Sequence, residues 1–179
     1  MGEGGVGKTT LLNRYINGNF LNSTKMTIGS DFFTKNIDFT FDSVQVTGKM
    51  QIWDLGGQDR FRFMMKDYLK GSEGIILAYD LTRVMTLIKL ASWLDVLEQG
   101  GIPLDGSIPI VLIGTKKDLY TETPEDVEQR KEIMDELLQR CKIQYYVENS
   151  SLTGENIEQA FNFLINSFVQ RAFEKGIVI

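Results

Sequence analysis

Apolar and polar positions along the chain follow two alternating periods. Residues 7–17 place Leu11, Leu12, Tyr15 and Ile16 on one face at helical spacing, and Gly18 closes the run. Residues 22–31 are polar and carry no period. Residues 36–41 and 45–53 alternate apolar and polar positions around "DSVQVTG", which predicts an antiparallel hairpin. Then come two continuous apolar runs, "GIILAYD" at 74–80 and "IPIVLIGT" at 108–115. Runs of that kind suit strands buried on both faces of a parallel sheet. Residues 85–98 between them have helical spacing. Thr123, Pro124 and Glu125 supply a cap, a first-turn proline and an early acid, which start a further helix. "IQYYVE" predicts a short strand. Residues 154–171 predict a final helix with Ile157, Ala160, Phe161, Leu164, Ile165 and Phe168 turned inward.

This alternation predicts an α/β sandwich, with a mostly parallel sheet, one antiparallel hairpin and helices on both faces. Ligands of such folds bind at the carboxyl ends of the strands. The length of 179 residues accommodates one domain, taken as 1–179, and the 42% hydrophobic content excludes a disordered chain. A net charge of −5 and an isoelectric point of about 4.9 argue against general binding to nucleic acid or anionic membranes. The single cysteine, Cys141, cannot form an internal disulfide, so a reducing cytoplasmic setting is expected. Histidine is absent, which removes an imidazole base and a His-ligated metal from the candidate chemistry.

"GEGGVGKT" fits G-x-x-x-x-G-K-[ST], with Gly2, Gly7, Lys8 and Thr9 at the fixed positions. Glycines let successive N–H groups point into one concavity that binds phosphate oxygens, and the helix start adds partial positive charge. Lys8 brings a point charge to the outer phosphates, and the Thr9 hydroxyl is a candidate Mg²⁺ ligand. The motif alone does not choose between ATP and GTP.

"TIGSDF" from Thr27, "WDLGGQDRF" from Trp53, "GTKKDL" from Gly114 and "ENSSLTGEN" from Glu148 follow the phosphate loop in order. Together they resemble the small GTPases of the Ras superfamily, and within it the Rab branch, from Gly2 to about Phe173. The resemblance implies a guanine-nucleotide switch with GTP or GDP and Mg²⁺ as ligands. It extends the nucleotide contacts to Gly4, Gly5, Val6 and Thr10. Asp118 would accept the guanine N1 and N2 hydrogens, and a carboxylate left unpaired would reject adenine. The Lys116 stem would lie over the base, Phe20 would pack edge-on to it, and the backbone of Ser150, Ser151 and Leu152 would meet the guanine oxygen. Thr27 would reach Mg²⁺ and the γ-phosphate, Asp54 the metal through water, and Gly57 the γ-phosphate through its N–H. Gln58 would orient the attacking water, so Gln58, Lys8, Gly57 and Thr27 form the expected catalytic set. Loss of the third phosphate would release two switch loops, about 20–35 and 54–70.

The chain departs from the family pattern in places. Thr115 stands where asparagine is usual, as in the Rho branch, and Gly56 makes an Arf-like "GGQD". Leu152 replaces a lysine, and Thr24 falls where many relatives place a tyrosine that covers the phosphates. No arginine lies between Phe20 and Thr27, so the expected intrinsic hydrolysis is slow, on the order of 10⁻⁴ to 10⁻³ per second, and raised by an arginine in trans. The implied partners are an exchange factor, a GTPase-activating protein with an arginine finger, and effectors that meet Phe32, Trp53 and Tyr68. Trp53 fits core or interface equally, as do Met64 and Met65. The ending "RAFEKGIVI" carries no lipidation cysteine, so no anchor of its own is expected and membranes would be reached only through partners; a monomer is expected as well.

Other readings are a GTP-binding scaffold without turnover, an inactive N-terminally truncated form, and a P-loop ATPase or kinase. "TKKD" disfavours the last. One feature bears on truncation. In the family a central strand runs directly into the phosphate loop, and here none precedes it. Met1 is expected to stand for an internal valine, with the true start roughly five to ten residues upstream.

Overall fold

A computed structural model of the chain describes residues 1–21, 26–41 and 43–176. The hairpin forms as β1 (Ser30–Phe41) and β2 (Val44–Leu55). The two apolar runs become β3 (Ile75–Asp80) and β4 (Ile110–Thr115). With β5 (Tyr145–Glu148) they make a parallel sheet in the order β3-β4-β5. The helices are α1 (Lys8–Asn17), α2 (Arg62–Leu69), α3 (Met85–Ile88), α4 (Leu90–Gln99), α5 (Pro124–Arg140) and α6 (Ile157–Glu174).

The central strand β4 shows why a continuous apolar run is needed. Every one of its residues is buried. Ile110 and Leu112 join a core with Leu77, Trp93 and Leu97 under α2 to α5. Val111 and Ile113 join a second core with Leu12, Tyr15, Phe161 and Leu164 under α1 and α6. Alternate side chains therefore face opposite helical layers. At the start of α5 the Thr123 hydroxyl accepts from the Asp126 amide, and Gly18 closes α1 in a left-handed conformation, φ 70.

Four elements differ from the sequence reading. β1 starts at Ser30, six residues earlier than the alternation marks, because its pairing runs on to Leu55. The helix expected over 85–98 is divided at Lys89 into α3 and α4. α2 appears where a loop was expected. The strands, finally, do not form one sheet. Among the described residues β2 pairs only with β1, and β3 only with β4.

Between the two sheets lies a slot of about 630 Å³. Ile52 and Asp54 line one wall, Ile76 and Ala78 the other, and Leu12, Phe161, Leu164 and Phe168 the floor. Met1 borders it. Its amino group donates to the Ile76 carbonyl at 2.5 Å, and its carbonyl accepts from the Ala78 amide at 2.8 Å. This is the two-residue step of a parallel ladder. Burial pushes the Met1 amino group down to about 5. Gly2 follows with φ 139, and a Cβ there would overlap the Ala78 carbonyl, so no other residue fits.

Candidate functional site

The phosphate loop leaves Met1 and Gly2 at the edge of β3 and enters α1 through Gly7, whose φ of 97 favours glycine. Gly4, Gly5, Gly7, Lys8, Thr9 and Thr10 border a cavity of about 810 Å³. Phe20, Thr27, Gly57, Gln58, Thr115, Lys116, Asp118, Ser151 and Leu152 border the same space. Residues far apart in sequence thus converge at the carboxyl ends of β3 and β4. Of the residues expected to touch nucleotide, Gly2, Val6 and Ser150 do not line the cavity. Gly2 and Val6 are buried members of the loop itself, and Ser150 lies wholly buried. Thr24 lies outside the described residues. Asn13, Leu21, Met26 and Leu119 line the cavity without having been marked by the sequence. Leu119 closes the "GTKKDL" segment; no motif covers Asn13, Leu21 and Met26, of which Leu21 and Met26 adjoin Phe20 and Thr27 and Asn13 lies one helical turn past Thr9.

Lys8 folds back over its own loop, donating to the Gly2 carbonyl at 2.6 Å and the Glu3 carbonyl at 2.9 Å. Burial pushes its ammonium down to about 8, against the opposing pull of Asp54 and Glu3. The Thr9 hydroxyl donates to an Asp54 carboxylate oxygen at 2.5 Å and lies 2.8 Å from the Thr27 hydroxyl. Burial raises the Asp54 carboxyl, while the Thr9 hydrogen bond and Lys8 work the other way. Two hydroxyls and one carboxylate are hard oxygen donors at one point. They suit Mg²⁺, which keeps several waters and takes few protein ligands.

The loop is tied to its neighbours on three sides. The Thr115 hydroxyl lies 2.6 Å from the Val6 carbonyl and 2.8 Å from that of Tyr79, with one proton to serve both. Glu3, 9% exposed, accepts from Arg62 at 2.7 Å, Lys89 at 2.9 Å and the Trp93 indole at 3.1 Å. Burial pushes its carboxyl up, but the Lys89 and Trp93 hydrogen bonds and the two cations outweigh it and hold it below the usual range. Gly57 packs so closely that a Cβ there would overlap the Glu3 and Gly4 backbone.

On the far wall Asp118 lies in a short 3-10 turn, Lys117–Leu119, and accepts from the Ser150 hydroxyl at 2.5 Å. Gln58 borders the cavity, but its amide oxygen accepts from Arg60 at 2.7 Å. Outside the cavity, Phe32, Trp53 and Tyr68 form one cluster with ring centroids 4.7 and 4.9 Å apart. Trp53 is 47% exposed, which places it on the surface and not in the core. Met65 is buried and Met64 exposed, so that pair divides between core and surface. No helix among the described residues is long and apolar enough to cross a membrane.

A family model described as "Ras family" matches residues 1–170. The chain is similar to "Ras-related protein Rab-7a" of Dictyostelium discoideum, 36% identical over 179 residues, covering 99% of this chain and 83% of that protein. It is 34% identical over 171 residues to "Ras-related protein Rab-7b" of Bos taurus, covering 96% of this chain and 80% of the relative. It is 37% identical over 168 residues to "Ypt/Rab-type GTPase avaA" of Emericella nidulans, covering 93% and 78%. With the phosphate loop, Thr9, Thr27 and the Asp118 turn around one cavity, these matches assign the family: the chain belongs to the Ras family of small GTPases, in its Rab branch.

Proposed function

We propose that the chain binds GTP and GDP with Mg²⁺ in the 810 Å³ cavity, hydrolyses GTP slowly, and changes the conformation of residues about 20–35 and 54–70 between the two states. The observation that carries this is the meeting of the phosphate loop, Thr27, Gly57 and the Asp118 turn around one space. Lys8 and the loop amides hold the phosphates, and Asp118, steadied by Ser150, reads the guanine edge. Thr9 and Thr27 would ligate Mg²⁺, with Asp54 behind a water; bound there, the ion neutralises charge on the outer phosphates. Gly57 abuts the phosphate loop, so a γ-phosphate would meet its N–H first and couple the loop to α2. Gln58 positions water. Exchange factors, activating proteins and effectors are the expected partners, the last through Phe32, Trp53 and Tyr68. Single-turnover GTP hydrolysis tests the reading. Wild type hydrolyses slowly and Gln58→Leu more slowly still; equal rates would make the glutamine idle.

One observation favours a GTP-binding scaffold as the second reading. The Gln58 amide oxygen is engaged by Arg60, so water positioning requires that bond to break. Arg60→Ala discriminates, since it raises hydrolysis if the bond restrains Gln58 and leaves a scaffold inert.

The slot bears on the active form. Among the described residues the β2 edge that faces it pairs with no further strand and the β3 edge meets only Met1, and Ile52, Ile76, Leu164 and Phe168 give it apolar surface beside Asp54. We infer that it takes one further apolar strand, parallel to β3 and continuing the ladder begun at Met1. A chain extended at Met1 by five apolar β-forming residues melts higher than one extended by five polar residues. Equal melting temperatures would remove the inference.

A further inference from the structure

Behind the wall that carries Asp118, β3 ends in Asp80, whose carboxylate is wholly buried. Water cannot solvate that charge, so protein donors must. The Thr82 amide at 3.0 Å and hydroxyl at 2.7 Å serve one oxygen. Arg83 Nε at 2.8 Å and Lys116 Nζ at 2.7 Å serve the other. Burial pushes the carboxyl up, but these donors, Lys116 foremost, outweigh it and hold it below its usual range, so it stays ionised.

The consequence falls on Lys116. Its backbone is left-handed, φ 62 and ψ 38, a conformation a lysine rarely adopts. Its side chain borders the cavity while its ammonium is drawn away to Asp80. A flexible stem held at both ends has surrendered its rotamer freedom before any ligand arrives, and that is preorganisation. Arg83, on the same Asp80 oxygen, has Nη2 3.6 Å from the position of a Cβ on Gly5. One buried carboxylate oxygen therefore stands between the wall formed by Lys116 and the phosphate loop.

We propose that Asp80 is a positioning residue for nucleotide binding: it anchors the Lys116 ammonium so that the lysine stem stays laid along the cavity wall, against the face of the bound base. This rests on the reading of the cavity as a guanine-nucleotide site. The anchor acts on the face of the ring and not on its hydrogen-bonding edge, so it contributes equally to guanine and to hypoxanthine, which lacks the 2-amino group.

The test is equilibrium competition of GDP and IDP against a fluorescent GDP on the full chain with Mg²⁺. Lys116→Met keeps the length and apolar body of the stem and removes only the ammonium. It loses about tenfold in affinity, the size of one charge-assisted hydrogen bond, and by the same factor for GDP and IDP. Asp80→Asn loses as much in the wild-type background and nothing further in the Lys116→Met background. Arg83→Gln stays within about twofold of wild type, because Lys116 keeps its partner. Wild-type affinity in Lys116→Met overturns the proposal, and that variant disturbs no buried charge cluster beyond the one bond. Additive losses from Asp80→Asn and Lys116→Met overturn it too, as does a full loss from Arg83→Gln. A wild-type chain that binds neither GDP nor IDP rejects the nucleotide reading itself, before any variant is compared.

Discussion

Replacing Thr115 by valine removes one hydroxyl and keeps the shape of the side chain. The residue is 2% exposed, and its proton serves the carbonyls of Val6 and Tyr79. Val6 is itself wholly buried, so no water takes the place of the lost donor. A buried acceptor left without a partner costs about 1–3 kcal/mol. For a domain of this size each kcal/mol lowers the melting temperature by roughly 2–4 °C, so a fall of roughly 2–12 °C is expected. The Val6 carbonyl belongs to the phosphate loop, so the same loss weakens the loop as a phosphate cradle. Where all of it falls on the nucleotide-bound state, GDP release quickens by about 5- to 150-fold. The assays are thermal unfolding without nucleotide and release of fluorescent GDP. Thr115→Ser retains the hydroxyl and is expected close to wild type in both. If Thr115→Val melts and releases GDP like wild type, or if serine behaves like valine, the bond is not what holds the loop.

Gly57→Ala forces a methyl into the Glu3 and Gly4 backbone, so α2 must move off the phosphate loop. It is expected to lower affinity for a non-hydrolysable GTP analogue and spare GDP, and an equal loss for both would contradict the contact. Lys8, held at about 8 by burial, binds fewer protons in the folded chain than in the unfolded one between about pH 8 and 10.5. The nucleotide-free chain therefore gains stability from this group as pH rises through that window, while bound phosphate restores the proton. Calorimetric titration with GDP at pH 8 in buffers of different ionisation enthalpy should show uptake of about half a proton, and no uptake would refute the shift. Cys141 is 1% exposed and its thiol is pushed up to about 11, so a disulfide-exchange reagent at pH 8 should react only after unfolding. Rapid reaction of the native chain would contradict its burial.

The strands buried on both faces were legible because burial itself writes the signal: β4 is apolar throughout, and the structure buries all of it. The face of α6 was legible in the same way through Ile157, Ala160, Phe161, Leu164 and Ile165. The first part of β1 was not, because Asp31, Phe32 and Thr34 are all exposed and the strand exists through pairing with β2. Among the described side chains of α2, Met65 and Leu69 are buried and Tyr68 only partly so, too few for a helical period to register. In the cavity the fixed motif residues were readable, since phosphate and base chemistry constrain residue type and spacing together. The supports behind them were not. Glu3 meets Arg62, Lys89 and Trp93, and Asp80 meets Lys116, across separations that no local pattern encodes. A gap left by an absent central strand was an expectation of the sequence; the side chains that wall the space between β2 and β3 were not legible, because they follow from pairing.

Equilibrium competition between GDP and ADP for the wild-type chain tests the central claim most directly. A carboxylate at Asp118 that a bound base would cover, and that must then meet two donors on that base, predicts GDP tighter than ADP by about 10⁴-fold or more. Equal competition by ADP, or no binding of GDP at micromolar protein with Mg²⁺ present, would contradict the account.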